Sequence, residues 1–152
     1  IAASDRGPGV LEKAVAGMTR EQLRRRPFSS GAGKWSTLEL VCHLADSEEV
    51  YTDRIKRTIA MDRPLVMGFE ENRYVEALSY QERDVAEELV VIRATRAQVA
   101  RILKALPAEA WDRKAVHSQA GLKSLREFVT TVTVHLTHHT AFVAKKRKEL
   151  GV

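Results

Sequence analysis

Cysteine is almost missing from this chain. Cys42 stands alone among 152 residues, so no intrachain disulfide can form. A single thiol fits a reducing compartment, and a cytoplasmic location is expected. Aromatic residues are scarce as well, at 6%, while Ala, Leu, Val, Glu, Lys and Arg dominate, a balance that favours helix. No apolar run approaches the roughly 20 residues that span a bilayer, so no membrane partner is expected. No signal peptide is visible either, although a chain starting at Ile1 without methionine need not include its native N-terminus.

With 44% hydrophobic residues, the chain is expected to form one domain over residues 1–152 and to bury a core unaided by cross-links. Its formal charge of +5 invites a nucleic-acid reading, but the positive charge is scattered. The densest runs are Arg24–Arg26 and Lys145–Lys148, and the second closes a helix, where cations suit the macrodipole. No nucleic-acid partner is expected.

Three capping signatures mark helix starts: "TREQ" from Thr19, "STLE" from Ser36 and "SLRE" from Ser124. Pro and Gly set the breaks, at "GPG" near the start, "SSGAGK", "RPLVMG", Pro107 and "SQAG". Helices are therefore expected at about 8–17, 36–60, 70–78, 80–106 and 124–150, with Gly151 as the last stop. Val85, Leu89, Ile92, Arg96, Val99, Leu103 and Leu106 form a seam at helical spacing with one charged member. No stretch alternates convincingly with period two, so essentially no sheet is expected. The fold class is all-α, an antiparallel four-helix bundle with short extra helices in its connections.

Three of the five histidines fall within "VHLTHHT", Val134 to Thr140. His135 and His139 lie along the apolar stripe of Leu125, Phe128, Val129, Val132, Leu136 and Val143. They are four residues apart and so one turn above each other. Two imidazoles on a buried face need partners, because an unpaired buried polar group costs roughly 1–3 kcal/mol. A metal ion satisfies both at once. The competing reading is two core histidines bonded to the helix's threonine hydroxyls. His138 points to the flank, and His117 falls in the loop before the last helix. Periodicity sets His43 off the main stripe of its helix (Leu38, Val41, Ala45, Thr52, Ile55, Ile59), which suits a surface histidine, although Leu40 and Val50 show that this side is not wholly solvated.

"KWSTLELVCHLADSEEVYTDRI", a proline-containing loop, a long amphipathic helix, "GLKSL" and "HLTHHTAFVAKKRKELG" together resemble the DinB/YfiT-like superfamily, in its order and spacing. The likeness runs from about Leu11 to Gly151. It implies up-down-down-up connectivity, a homodimer, and a divalent metal, often nickel or zinc, held by three histidines: His43, His135 and His139 at the matching positions. The "HLTHHTA" ending echoes the YfiT branch, whose members resemble bacillithiol-type S-transferases; other relatives use mycothiol or glutathione. Many members have no established activity and were first called metal-dependent hydrolases.

The resemblance therefore implies a metal-dependent S-transferase that joins a low-molecular-weight thiol to an electrophilic small molecule. A metal-dependent hydrolase of unknown substrate and a non-catalytic helical dimerisation or ligand-binding module are the alternatives. No catalytic side chain is assigned. Leu136 stands where the metalloprotease motif H-E-x-x-H carries its base, so peptide hydrolysis by that route has no support. Cys42 projects about 100° from His43 on a helix and is not expected to share its ion. Asp46 and Glu48 are candidates to orient an imidazole or shuttle protons, against a plain reading as solvated helix charges. Arg96 is the candidate for binding an anionic thiol cofactor or substrate, against internal pairing with a glutamate.

Overall fold

A computed structural model describes residues 2–152, with side chains from residue 7 onward. Its α-helices and strands follow in the order α1 (Ala2–Val15), α2 (Arg20–Arg24), α3 (Thr37–Ala60), β1 (Leu65–Val66), α4 (Glu71–Ala77), α5 (Val85–Lys104), β2 (Lys114–His117), β3 (Gly121–Ser124) and α6 (Leu125–Leu150), with short 3₁₀ turns between some of them. Helices α1, α3, α5 and α6 form the bundle. All three capping boxes are made: Thr19, Ser36 and Ser124 each accept from the backbone N–H three residues on, and Gln22, Glu39 and Glu127 each accept in return. Gly151 closes α6 in the left-handed conformation, at φ 72°.

Side-chain contacts fix the helix directions. Arg83, just before α5, pairs with Asp46 early in α3, and Lys56 later in α3 meets Gln98 later in α5. These two helices therefore run parallel. Their C-terminal ends feed β1 and β2, which pair as parallel neighbours. His43 meets His135 while Tyr51 approaches the start of α6 around Phe128, so α6 opposes α3. Arg147 donates to the carbonyls of Ala14 and Ala16, and Gly7 faces Leu136, so α1 runs with α6. The order is up-down-down-up, and the segment from 61 to 84 must return the whole length of the bundle. It carries α4.

Two expectations about the elements need correction, and one element is broken where the pattern ran on. A three-stranded sheet β1-β2-β3 exists, with β2 and β3 antiparallel. Its strands of two to four residues are too short to display alternation. "GPG" does not stop a helix: α1 runs through a buried Pro8. The glycine before it allows close approach, since a Cβ at Gly7 would lie 2.5 Å from Leu136 Cδ2 and 3.0 Å from Arg96 Nη1. The pattern expected from 80 to 106 splits. Tyr80–Glu82 is a 3₁₀ turn, and Asp84 then caps α5 by accepting from Ala86 and Glu87 N–H.

Apolar packing is divided between two clusters. One joins Leu11, Val41, Leu44, Tyr80, Ile92, Leu136 and Val143; the other joins Ile55, Val66, Val99, Leu103, Leu125 and Phe128. Arg96 and Glu48 lie between them, both nearly fully buried. No helix among the described residues is long and apolar enough to cross a membrane.

Candidate metal centre

Helix α3 is enclosed along its N-terminal half: every residue from Thr37 to Glu48 is buried. Capping at Ser36 starts this helix just after Trp35, whose ring lies 4.8 Å from that of His43. His43, at 0% exposure, faces α6, which lowers His135 and His139 towards it from successive turns. Ring centroids are 5.0 Å apart for His43–His135, 5.0 Å for His43–His139 and 4.5 Å for His135–His139. Phe69, from the return segment, stacks on the far side of His43 at 5.8 Å.

The donor atoms suit one small cation. His43 Nε2 and His135 Nε2 are 3.2 Å apart, close to the roughly 3.3 Å edge of a tetrahedron built on 2.0 Å metal–nitrogen bonds. All three imidazoles offer nitrogens within 4.8 Å of one another. Such a triangle contains a point within about 2.8 Å of each corner, a modest inward movement from a zinc–imidazole distance of 2.0–2.1 Å.

Burial strips water from these rings and disfavours their charged forms; the neighbouring cationic forms add to the effect. His43 is pushed down to about 3, first by burial and then by His135 and His139. His135 falls to about 4 through burial, then His139, His138 and Arg96, and His139 to about 4 through burial, then His138 and Lys146. At neutral pH each ring is therefore neutral and has a lone pair to give, as a metal requires. Their Nδ1 atoms are buried and make no hydrogen bond. Threonine hydroxyls do not partner these rings: Thr131, Thr133, Thr137 and Thr140 each donate to the backbone carbonyl four residues before.

The remaining candidates lie elsewhere. Neither Asp46 nor Glu48 is a solvated charge. Asp46 accepts from Tyr80 Oη at 2.5 Å and Arg83 Nη1 at 3.0 Å, while Glu48 accepts from Arg96 Nε at 2.8 Å. Arg96 also donates to the Val132 carbonyl at 2.8 Å and is 3% exposed, so its guanidinium is committed inside the bundle rather than offered to a ligand. Cys42 is buried against the Tyr80 carbonyl, its thiol pushed up to about 12 chiefly by burial. His138 is exposed on the flank, edge-on to Phe142. His117 sits on β2, away from the cluster.

One residue escaped the sequence reading. Glu71, at the start of α4, places Oε2 3.8 Å from His43 Nε2, with its side chain 50% exposed. Against a neutral imidazole this is no ion pair; it is a carboxylate held at the mouth of the cluster. Its segment has no periodicity that would aim it, and only the return of the chain along the bundle brings it there. Glu71 also lines a cavity of about 180 Å³ together with Trp35, Leu40, His139, Phe142 and Lys146.

The family model of the DinB superfamily matches residues 3–143. A protein of Geobacillus thermodenitrificans, provisionally named a metal-dependent hydrolase, is 28% identical over 99% of this chain and 84% of its own length. YfiT from Bacillus subtilis, described in similar provisional terms and with an unusual four-helix bundle topology, superposes with a TM-score of 0.89. It is 22% identical, over 99% of this chain and 85% of that one. A mycothiol-dependent maleylpyruvate isomerase shares the fold at a TM-score of 0.71 and 11% identity, covering 93% of this chain and 58% of that one.

Proposed function

The chain belongs to the DinB superfamily, and from that premise we propose that it is a metal-dependent enzyme that transfers a low-molecular-weight thiol to an electrophilic small molecule. The observation that carries the reading is the convergence of three neutral imidazoles from two helices, His43 buried and His135 and His139 partly exposed, with the nearby Cys42 thiol turned away to the Tyr80 carbonyl. His43, His135 and His139 would hold a divalent ion, nickel or zinc by donor type. When bound, that ion supplies acidity, so that a thiol reaching it is deprotonated at neutral pH.

The chain's own part is to bind, orient and take up the proton. Trp35 and Phe69 flank His43 and exclude water from that side of the ring. Glu71 is placed to receive the thiol proton and, being half exposed, to pass it to solvent. Sulfur then forms its bond to the electrophilic carbon, and the leaving group departs with the electron pair of the broken bond. Cys42 is not the nucleophile, because its thiol is buried, raised in pKa and turned to Tyr80. The thiol-dependent isomerase with the same fold supports the choice of co-substrate class.

Hydrolysis is the second reading, favoured by the same Glu71 carboxylate and by the provisional names of the relatives. Water would replace the thiol as proton donor and nucleophile. The two readings separate in one assay series. Protein loaded with zinc or nickel is incubated with monochlorobimane and a panel of thiols, beside His139→Ala treated alike. Conjugation of at least one thiol well above the variant is expected. If every thiol reacts equally with both proteins, the transferase reading fails. An ester panel cleaved by the loaded protein but not by Glu71→Gln would then establish hydrolysis.

A further inference from the structure

A second cavity, of about 440 Å³, lies between α3, α6 and the β2–β3 hairpin. Tyr51 forms part of its wall, and the Tyr51 ring is 6.4 Å from that of His135. Thr131, also on the wall, is one turn before His135 on α6. Tyr51 thus borders both the cavity and the imidazole cluster, and the cavity's size lies in the usual range for small-molecule sites.

Its polar lining holds four nitrogen donors, Arg54, His117, Lys123 and Arg126, beside the Tyr51, Thr130 and Thr131 hydroxyls and the Glu127 carboxylate. Arg54 is 4% exposed; it donates to the Met67 carbonyl at 2.6 Å, and its Nε is buried without a partner. Its guanidinium lies 4.9 Å over the Tyr51 ring, which fixes its plane. His117 has a defined tautomer. Its Nδ1 accepts from the backbone N–H groups of Gln119 and Ala120, each at 3.2 Å, so the proton of the neutral ring is on Nε2, a donor. Burial, followed by the charges of Arg54 and Lys123, lowers its pKa and keeps it neutral. Glu127 is the one carboxylate on the lining, and it is committed to Ser124 at the helix cap and to Lys123 at 3.1 Å.

We propose that this cavity recognises the carboxylate-bearing part of the small molecule whose reactive end meets the imidazole cluster. Four donor side chains around a single committed carboxylate favour an organic acid over a neutral or cationic ligand, and Arg54 offers the fork geometry that carboxylates match. The assignment of the reactive end rests on the proposed thiol chemistry, whereas recognition of the acid does not.

Calorimetric titration of the metal-free protein with succinate, and with succinamide as the uncharged control, tests the cavity directly. Succinate is expected to bind, and succinamide is not. Losing charge-assisted hydrogen bonds should weaken succinate about tenfold or more in Arg54→Gln and in Lys123→Gln/Arg126→Gln. The double variant changes side chains nearer the surface and keeps the test valid if Arg54→Gln fails to fold. His139→Ala should bind succinate like the parent. An absence of succinate binding, or equal affinity in the double variant, overturns the proposal.

A second arm identifies the occupant. Glutathione is compared with its diethyl ester against one neutral electrophile, and a carboxylate-bearing electrophile with its amide against one neutral thiol. The partner whose neutral form loses about tenfold in kcat/KM, roughly one charge-assisted contact, occupies the cavity. If conjugation proceeds and neither loses, the proposal is overturned. If no conjugation occurs while succinate still binds as described, the transferase reading fails and the anion site stands.

Discussion

Within two turns of α3 the protein buries polar groups in two different ways. At Asp46 and Glu48 every charge is answered: Tyr80 and Arg83 donate to Asp46, and Arg96 donates to Glu48. At His43, three residues earlier, the neighbours are two more imidazoles and the Glu71 carboxylate, and the Nδ1 atoms of all three rings have no partner. The first layer is complete within the chain. The second gathers lone pairs on one point, where a cation can accept them. Buried polarity that is fully partnered holds helices in register, whereas buried polarity left open marks a site.

That contrast predicts mutations of opposite sign. The largest effect is expected from Arg96→Met, which strands the Glu48 carboxylate between two apolar clusters; removing one member of such a pair costs about 3–5 kcal/mol. Urea unfolding of the metal-free protein measures it. Burial already pushes the Glu48 carboxyl up against the pull of Arg96; Glu48→Gln strands the Arg96 guanidinium in turn and should also destabilise, while Arg96→Met/Glu48→Gln, which leaves no buried charge of the pair, should lose less than the two single losses added. A double-variant loss equal to that sum would mean that the pair is uncoupled and the layer is ordinary packing.

His43→Leu should go the other way. It removes a buried ring with an unpartnered nitrogen, so the metal-free variant should be more stable than the parent by about 1 kcal/mol. Zinc at a hundredfold excess over its Kd should stabilise the parent by about 2.7 kcal/mol and the variant not at all. A destabilised variant would show the imidazoles to be structural. Next in size, Tyr80→Phe deletes the hydroxyl donor to Asp46 and should cost about 1 kcal/mol in the same unfolding measurement.

The smallest effect lies outside both layers, at the exposed cap of α6. Glu127 is held down to about 2, mainly by the Ser124 backbone N–H and then by Lys123. Its depressed pKa means that its contribution is fully present above the ordinary 4.5 and is lost as pH falls through about 2. The Tm of Glu127→Ala should therefore lie below the parent's at neutral pH and converge with it across that window. A gap that persists below pH 2 would place the effect in packing instead.

The long helices α3, α5 and α6 and the pairing of His135 with His139 could be read from the chain because both depend on spacing within one helix, whereas α1 runs on past the glycines and proline that mark a break. His43 could not be placed by its stripe. Periodicity works when one face of a helix is dry, and α3 is buried on all sides from Thr37 to Glu48, so its faces carry no contrast. Family resemblance singled out His43, and the fold puts its Nε2 3.2 Å from that of His135. Asp46 and Glu48 read either as partners of an imidazole or as solvated helix charges, and neither reading found the buried pairs they make, since their partners arrive from α5 and the turn before it. Glu71 and the small sheet depend on how a long connection returns, which no local pattern encodes.

The central claim is that the three imidazoles bind one cation together. X-ray absorption at the zinc edge, on protein loaded with one equivalent and freed of excess metal, tests it most directly. The account predicts three imidazole nitrogens at about 2.0 Å, with one fewer in His139→Ala. Zinc that washes away, or an absorption spectrum without imidazole scattering, would contradict it.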